Sequence, residues 1–309
     1  MKIRELAQGL QFPEGPVAMA DGSIILVEIA RGTLSRVSPS GRVEVIAQLG
    51  GGPNGAALGP DGAMYVCNNG GFLWTQQPGQ LLRPIGQAAD YAGGRIERVN
   101  LSTGRFERVL DSVQGIALRG PNDIVFDRQG GFYFTDLGKV RHQDMDRGGV
   151  FYSDTSGQQS QVLCHPAMTP NGIALSPDEQ TLYYAETEGA RVWAFDLSAP
   201  GVARSLPWPS PQGARMLAAS PGGAYQRFDS MAVDASGQLC VATLLHGGIT
   251  VIAPDGASHR HIPLPDPYTT NLCFGGPDMR TAYVTLSGTG KLIAIEDWET
   301  PGLKLNFSA

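Results

Sequence analysis

Six stretches of this chain can be laid over one another, and that repeat restricts the fold more than any other feature. They are PEGPVAMADGSIILVE from Pro13, PNGAALGPDGAMYVCN from Pro53, PNDIVFDRQGGFYFTD from Pro121 and PNGIALSPDEQTLYYAE from Pro170, then FDSMAVDASGQLCVAT from Phe228 and TNLCFGGPDMRTAYVT from Thr270. Each carries a polar second residue, here called the head, then mostly small or apolar residues, a turn and a β-rich run. Counting from the head, position +7 is Asp21, Asp61, Gln129, Asp178, Ser236 or Asp278, and position +14 is Glu28, Asn68, Asp136, Ala185 (with Glu186 next), Thr243 or Thr285. That spacing fits two strands joined by a short polar turn, the second returning to the level where the first began.

Two more β-patterned segments follow most copies, as in TLSRVSPSGRVEVIAQL and RIERVNLSTGRFERVL. Four antiparallel strands per unit and six units predict an all-β, six-bladed β-propeller, with residues 1–309 as a single domain. No long amphipathic helix separates the strands, which excludes a TIM barrel or a doubly wound sheet. The last unit has room for only about three strands after Thr270, so residues 3–10 are expected to supply its outer strand and close the ring.

In such a ring the innermost strands line a central channel, and the heads Glu14, Asn54, Asn122, Asn171, Asp229 and Asn271 converge at its mouth. A turn role explains one Asn before a strand; it does not explain six carboxamides or carboxylates in matching register. Unpaired, they are costly to bury. The set is rich in oxygen and free of sulfur and imidazole, which suits one hard divalent cation, calcium first, with magnesium, manganese, zinc or iron as alternatives. Glu14 and Asp229 offset its charge. Neither an EF-hand loop nor HExxH is present, so such a site is assembled across the fold.

At these residues the chain resembles the senescence marker protein, regucalcin and gluconolactonase group of six-bladed propellers. The resemblance runs from about Phe12 to Ile295 through FPEGP (12–16), GPND (120–123), PNGIALSPD (170–178), FDSMAVDASG (228–237) and TNLCFGGPD (270–278). It implies metal ligation by Glu14, Asn171 and Asp229, with Asn122 as a further ligand or a substrate contact. It also implies lactone hydrolysis at an open metal face, with Asp229 and Asn122 in the chemistry. Asp123 is expected to alternate outward in a structural role.

Around the mouth, Asn54, Asn68, Asp136 and Asn271 are expected substrate contacts, with Trp74 and His246 from rim loops. Residues 69–93 form a long connection with Phe72, Trp74, Leu81, Leu82 and Tyr91, read as a lid over the pocket. Its apolar content tilts the expectation toward a bulkier or less polar lactone. The segment from Pro207 to Arg227, with Trp208 and Met216, is placed on the same side. His142 and His165 also fall near that rim, whereas His259 and His261 belong to an outer strand.

The remaining composition excludes other classes. A net charge of −6 with no basic stripe argues against nucleic acid or an anionic membrane as partner. MKIRELAQGL contains no apolar core and no segment nears 18 uninterrupted apolar residues, which leads to the expectation of a cytoplasmic protein, monomer or homodimer. Cys67, Cys164, Cys240 and Cys273 form no CxxC pair and are read as buried apolar residues. GxSxG is absent, which disfavours serine-hydrolase chemistry. The leading expectation is therefore a metal-dependent lactonase. The alternatives are hydrolysis of another electrophile such as a phosphotriester, an isomerase or lyase step at the same metal, or a non-catalytic calcium or small-ligand binding propeller.

Overall fold

Acidic turn residues explain why each unit folds back on itself. The Oδ1 atoms of Asp21, Asp61, Asp178 and Asp278 each accept the backbone N–H two residues on, from Ser23, Ala63, Gln180 and Arg280, at 2.9–3.1 Å. Where position +7 is Gln129 or Ser236, the aspartate two residues earlier takes over: Asp127 accepts from Gln129 N and Asp234 from Ser236 N, both at 2.9 Å. These local turns close hairpins whose flanking β-branched and aromatic residues suit a half-buried pleated surface.

The computed structural model describes residues 1–77, 79–210, 212–219 and 225–308. Its main sheets are six antiparallel blades. Blade 1 runs Pro13–Ala18, Ile24–Glu28, Thr33–Val37, Val43–Gln48, and blade 2 Pro53–Leu58, Met64–Asn68, Arg95–Val99, Phe106–Leu110. Blade 3 is Pro121–Phe126, Phe132–Asp136, Gly148–Ser153, Ser160–Ala167, and blade 5 is Arg227–Val233, Leu239–Leu244, Gly248–Ile252, His259–Pro263. Blade 6 takes Thr269–Gly275, Thr281–Leu286 and Lys291–Glu296 from the end of the chain and Lys2–Gln8 from its start, which confirms the expected closure. The six first strands touch in ring order. Among the described residues no helix is long and apolar enough to cross a membrane.

Blade 4 departs from four strands. After Pro170–Leu175, Thr181–Glu186 and Arg191–Ala199, its outer position is shared: Val202–Arg204 pairs with one end of the long third strand and Arg215–Ala219 with the other. Pro207 and Pro209 lie between the two pieces and lack the N–H a continuous ladder requires. Trp208 (85% exposed) and Met216 therefore sit at the outer edge of this blade and not over the mouth. The rest of the segment placed at the rim includes residues 211 and 220–224, which lie outside the described residues.

The core is a series of interblade layers. Tyr65 of blade 2 meets Phe126 and Phe132 of blade 3 at centroid distances of 5.1 and 5.7 Å, and Tyr184, Trp193 and Phe195 stack within blade 4. All four cysteines are buried thiols, as expected.

Candidate functional site

Each first strand carries one extra residue near its head, a β-bulge that the repeat alone does not reveal. In five blades the register shifts at or just after the head, between Glu14 and Val17, Pro53 and Ala56, Pro121 and Ile124, Pro170 and Ile173, and Phe228 and Met231. A bulge re-aims a side chain out of the ladder, and here it turns the heads toward the axis. Small residues permit the crowding this creates. A Cβ on Gly172 would lie 2.6 Å from the backbone oxygen of Asp229, and one on Gly15, at φ +51°, 2.6 Å from that of Asn54.

Blade 6 differs: its shift falls between Thr269 and Asn271, before the head. Asn271 is thus back in the ladder and reaches sideways. Its Nδ2 donates to Glu14 Oε2 at 2.7 Å and its Oδ1 accepts Leu272 N at 2.7 Å. Asn271, expected as a substrate contact, thus holds Glu14 in place.

All six heads are buried. The carboxylate of Glu14 accepts from Asn271 and from Gly15 N, yet burial pushes its pKa up. Burial, then the charge of Glu14, raises Asp229 well above the ordinary carboxylate range, against a hydrogen bond from the Asn171 amide. Asp123 is raised to about 8 by the same two causes. It is buried, not outward: it accepts from Ile124 N (3.0 Å) and from Ile173 N of the next blade (3.3 Å), which gives it the expected structural role in another place. No lysine or arginine pairs with Glu14, Asp123 or Asp229 among the described residues.

The amides complete the picture. Asn122 Oδ1 and Asn171 Oδ1 are buried without a partner, and Asn171 is oriented by Nδ2 donating to Thr187 Oγ1 at 3.0 Å. Asn54 makes no side-chain hydrogen bond among the described residues. Two buried carboxylates without counter-charge beside two orphaned amide oxygens match the donor chemistry of a hard divalent cation. No group of three His, Cys, Asp or Glu side chains suited to a metal occurs among the described residues, so such an ion depends on the amide oxygens.

The second ring has another job. Asn68 is hydrogen-bonded at every polar position: Oδ1 accepts Gly52 N and Gly70 N, and Nδ2 donates to Gly50 O and Glu97 Oε2. Asp136 accepts Arg119 N, Gly120 N and Gly138 N at 2.6–2.8 Å. Glu28 likewise accepts Gln11 N at 2.9 Å. These residues clamp the chain that leads into the first strand of their own blade. Asn68, expected at the substrate, has no lone pair or proton left to offer it, and Asp136, also expected there, spends three of its four lone-pair sites on these backbone amides. His246, expected as a substrate contact from a rim loop, is exposed and stacks face to face on His261 of the outermost strand (4.2 Å, 2°).

Residues 69–93 do reach the mouth. They form a hairpin, Phe72–Thr75 with Arg83–Gln87, inserted between the second and third strands of blade 2. Trp74 packs on Phe12 (5.0 Å), which itself meets Tyr268 (6.0 Å); these rings directly precede the first strands of blades 1 and 6. Leu82 N donates to Gly288 O of blade 6 at 3.3 Å, and on the far side Arg141 of blade 3 donates to Gln87. Phe72 and Trp74 are thus engaged with each other and with the rim, while Leu73 and Ile85 stay exposed. Below the heads lies a cavity of about 470 Å³, lined by Val17, Ala57, Leu175 and similar residues and, on the opposite side, by Leu303–Asn306.

Sequence reasoning missed Thr187 and Lys139. Thr187 follows the +14 region of its blade and was legible only once Asn171 was seen to need a donor's partner. Lys139, in TDLGKV, is a lysine in an apolar, glycine-bearing stretch that the structure buries completely.

A family profile described as the SMP-30/Gluconolactonase/LRE-like region matches residues 12–288. A gluconolactonase of Zymomonas mobilis is 28% identical over 88% of this chain and 76% of its own length. A Staphylococcus epidermidis protein named lactonase drp35 is 28% identical over 84% of this chain and 71% of its own length. Among solved structures, a regucalcin from Agrobacterium tumefaciens, described as a calcium-binding protein, superposes with a TM-score of 0.72 at 20% identity, over 97% of this chain and 94% of that one.

Proposed function

The chain belongs to the SMP-30/gluconolactonase/LRE-like family, and from that premise we propose that it is a divalent-metal-dependent lactonase acting at the ring of heads. The observation that carries this reading is the pair of orphaned amide oxygens, Asn122 Oδ1 and Asn171 Oδ1, beside the buried, unpaired carboxylates of Glu14 and Asp229. The names of the two lactonase relatives and the calcium-binding description of the regucalcin support it. These four residues would hold the ion, and Asn54 faces the same mouth.

When bound, a divalent ion here supplies Lewis-acid polarisation of the lactone carbonyl. Asp229 accepts a proton from the water whose oxygen attacks the acyl carbon. The acyl carbon–ring oxygen bond then breaks, and that proton goes to the departing oxygen, so one water is added and a hydroxy acid results. Asn271 fixes Glu14 and Thr187 fixes Asn171, which keeps the oxygens in place before substrate arrives. The hairpin shields the mouth from bulk water.

Hydrolysis of a panel of aldonolactones and aliphatic lactones, followed by acid release, tests the reading. Activity should vanish with a chelator and return with calcium, magnesium, manganese or zinc. Turnover that persists unchanged in chelator rejects the metal, and tight metal binding without turnover of any lactone leaves a binding protein.

The hairpin yields a prediction of its own. Trp74 props Phe12, two residues before Glu14, so Trp74→Ala should raise KM roughly tenfold through a loosened cover while metal affinity changes little. Steady-state kinetics and a metal titration check it. Unchanged kinetics for every accepted lactone would mean the hairpin does not cover the pocket.

A further inference from the structure

Lys139 is the buried charge that the proposed chemistry does not use. It lies just beyond the second strand of blade 3 and is 1% exposed. Its Nζ donates to Asn69 Oδ1 and to Gly71 O, both at 2.9 Å, and stands over the rings of Phe72 (4.1 Å) and Tyr91 (5.4 Å). Every one of these partners belongs to the root of the inserted hairpin. Blade 3 thus grips an element that grows from blade 2 and extends to blade 6.

The grip lacks a carboxylate. Asp136 acts on Lys139 through its charge, but its oxygens are taken by the backbone amides of Arg119, Gly120 and Gly138. Asp146 acts likewise while paired to Arg141 at 2.8 Å. Tyr91 donates to Arg119 O, and its phenol is raised, so it stays neutral through the physiological range. Nζ is therefore held by two carbonyl-type oxygens and two aromatic faces, an arrangement that forms only when the hairpin is down. Asn69 Nδ2, beside it, is buried with no partner.

We propose that Lys139 is the positioning residue of the lid, its Nζ latching the root of the 72–87 hairpin to blade 3 through two hydrogen bonds so that the hairpin lies over the ring of heads. This rests on the reading that chemistry takes place at that ring. Burial lowers Lys139 from its ordinary value to about 7, opposed by the charges of Asp136 and Asp146. With the lid open the amine regains an ordinary value near 10.5. Opening therefore takes up a proton between about pH 7 and pH 10, and closure strengthens as pH rises through that window and levels off below it.

Hydrogen exchange, expressed as protection factors, tests the latch without any substrate. Lys139→Met keeps the apolar stem and removes the donors. It should lower protection over residues 72–87 by about tenfold or more and leave the strands 121–126 and 132–136 unchanged. In the unaltered protein, protection over 72–87 should rise between pH 7 and pH 9, and Lys139→Gln should abolish that rise. With an accepted lactone, Lys139→Met should raise KM while kcat stays within about threefold. Unchanged protection over 72–87, a loss spread equally over blade 3, or a flat pH response in the unaltered protein each overturns the latch. Failure of every lactone, with the exchange results as expected, overturns the catalytic reading and leaves the latch standing.

Discussion

Asp229→Asn and Glu14→Gln should each lower kcat/KM for lactone opening by roughly a thousandfold and abolish stoichiometric metal binding. Either change removes one of two negative charges that offset a divalent ion while leaving the side-chain volume almost intact. A second, signed expectation separates this from simple damage. In metal-free protein at pH 7 the two carboxylates are buried without a cation, and the charge of Glu14 further raises Asp229. Asparagine at 229 removes both a desolvation cost and a repulsion. Metal-free Asp229→Asn should therefore melt a few degrees higher than the metal-free parent, whereas in saturating metal the order reverses because only the parent gains binding energy. Elemental analysis and paired thermal melts measure both. A variant that is less stable in both conditions, or that keeps full metal occupancy, shows that Asp229 is held by packing and that the cation argument is wrong.

Removal of residues 1–8 should cost more stability than any single surface change. The strand Lys2–Gln8 pairs along the whole of Lys291–Glu296, and Leu6 and Ala7 cover a cluster that includes Leu10, Ile24, Leu26 and Leu292. Its exposed ion pairs, Arg4–Glu296 and Lys291–Glu5, contribute about 0–1 kcal/mol each. The ladder and the apolar cover are worth several times that, at about 1 kcal/mol per hydrogen bond and a similar amount per buried methylene. Against a total of about 5–15 kcal/mol the loss is severe, and it leaves Lys291–Glu296 as an open edge ready to pair with another chain. The truncated protein should melt at least about 10 °C lower and self-associate, as read by calorimetry and light scattering. Double replacement of Lys2 and Arg4 by alanine should shift the melt by less than about 2 °C. A truncated protein that melts like the parent would show that the ring does not depend on this closure.

The two predictions draw on different depths of the sequence. Propeller class, blade number, closure by the first strand and the ring of heads all follow from a register of Pro, Asn, Asp and Gly residues, because turns and strand alternation are local chemistry that a repeat multiplies six times. The acidic turns could be read off directly, since an aspartate that caps its own turn needs nothing beyond the next two residues. What a side chain does at the mouth was not local. Asn122 and Asn271 look alike in sequence, yet a bulge one residue earlier returns Asn271 to the ladder and gives it to Glu14, while Asn122 keeps a free oxygen. Asn68 and Asp136 hold polar atoms at the right level, but backbone amides of their own blades reach those atoms first. The aromatic residues of 69–93 were visible as a composition; only the contact of Trp74 with Phe12, and of Lys139 with Asn69 and Gly71, decided that they bind the rim. Periodicity determines which strand a residue joins, whereas the direction in which its polar atoms are satisfied depends on partners up to hundreds of residues away, and those are chosen when the blades close on one another.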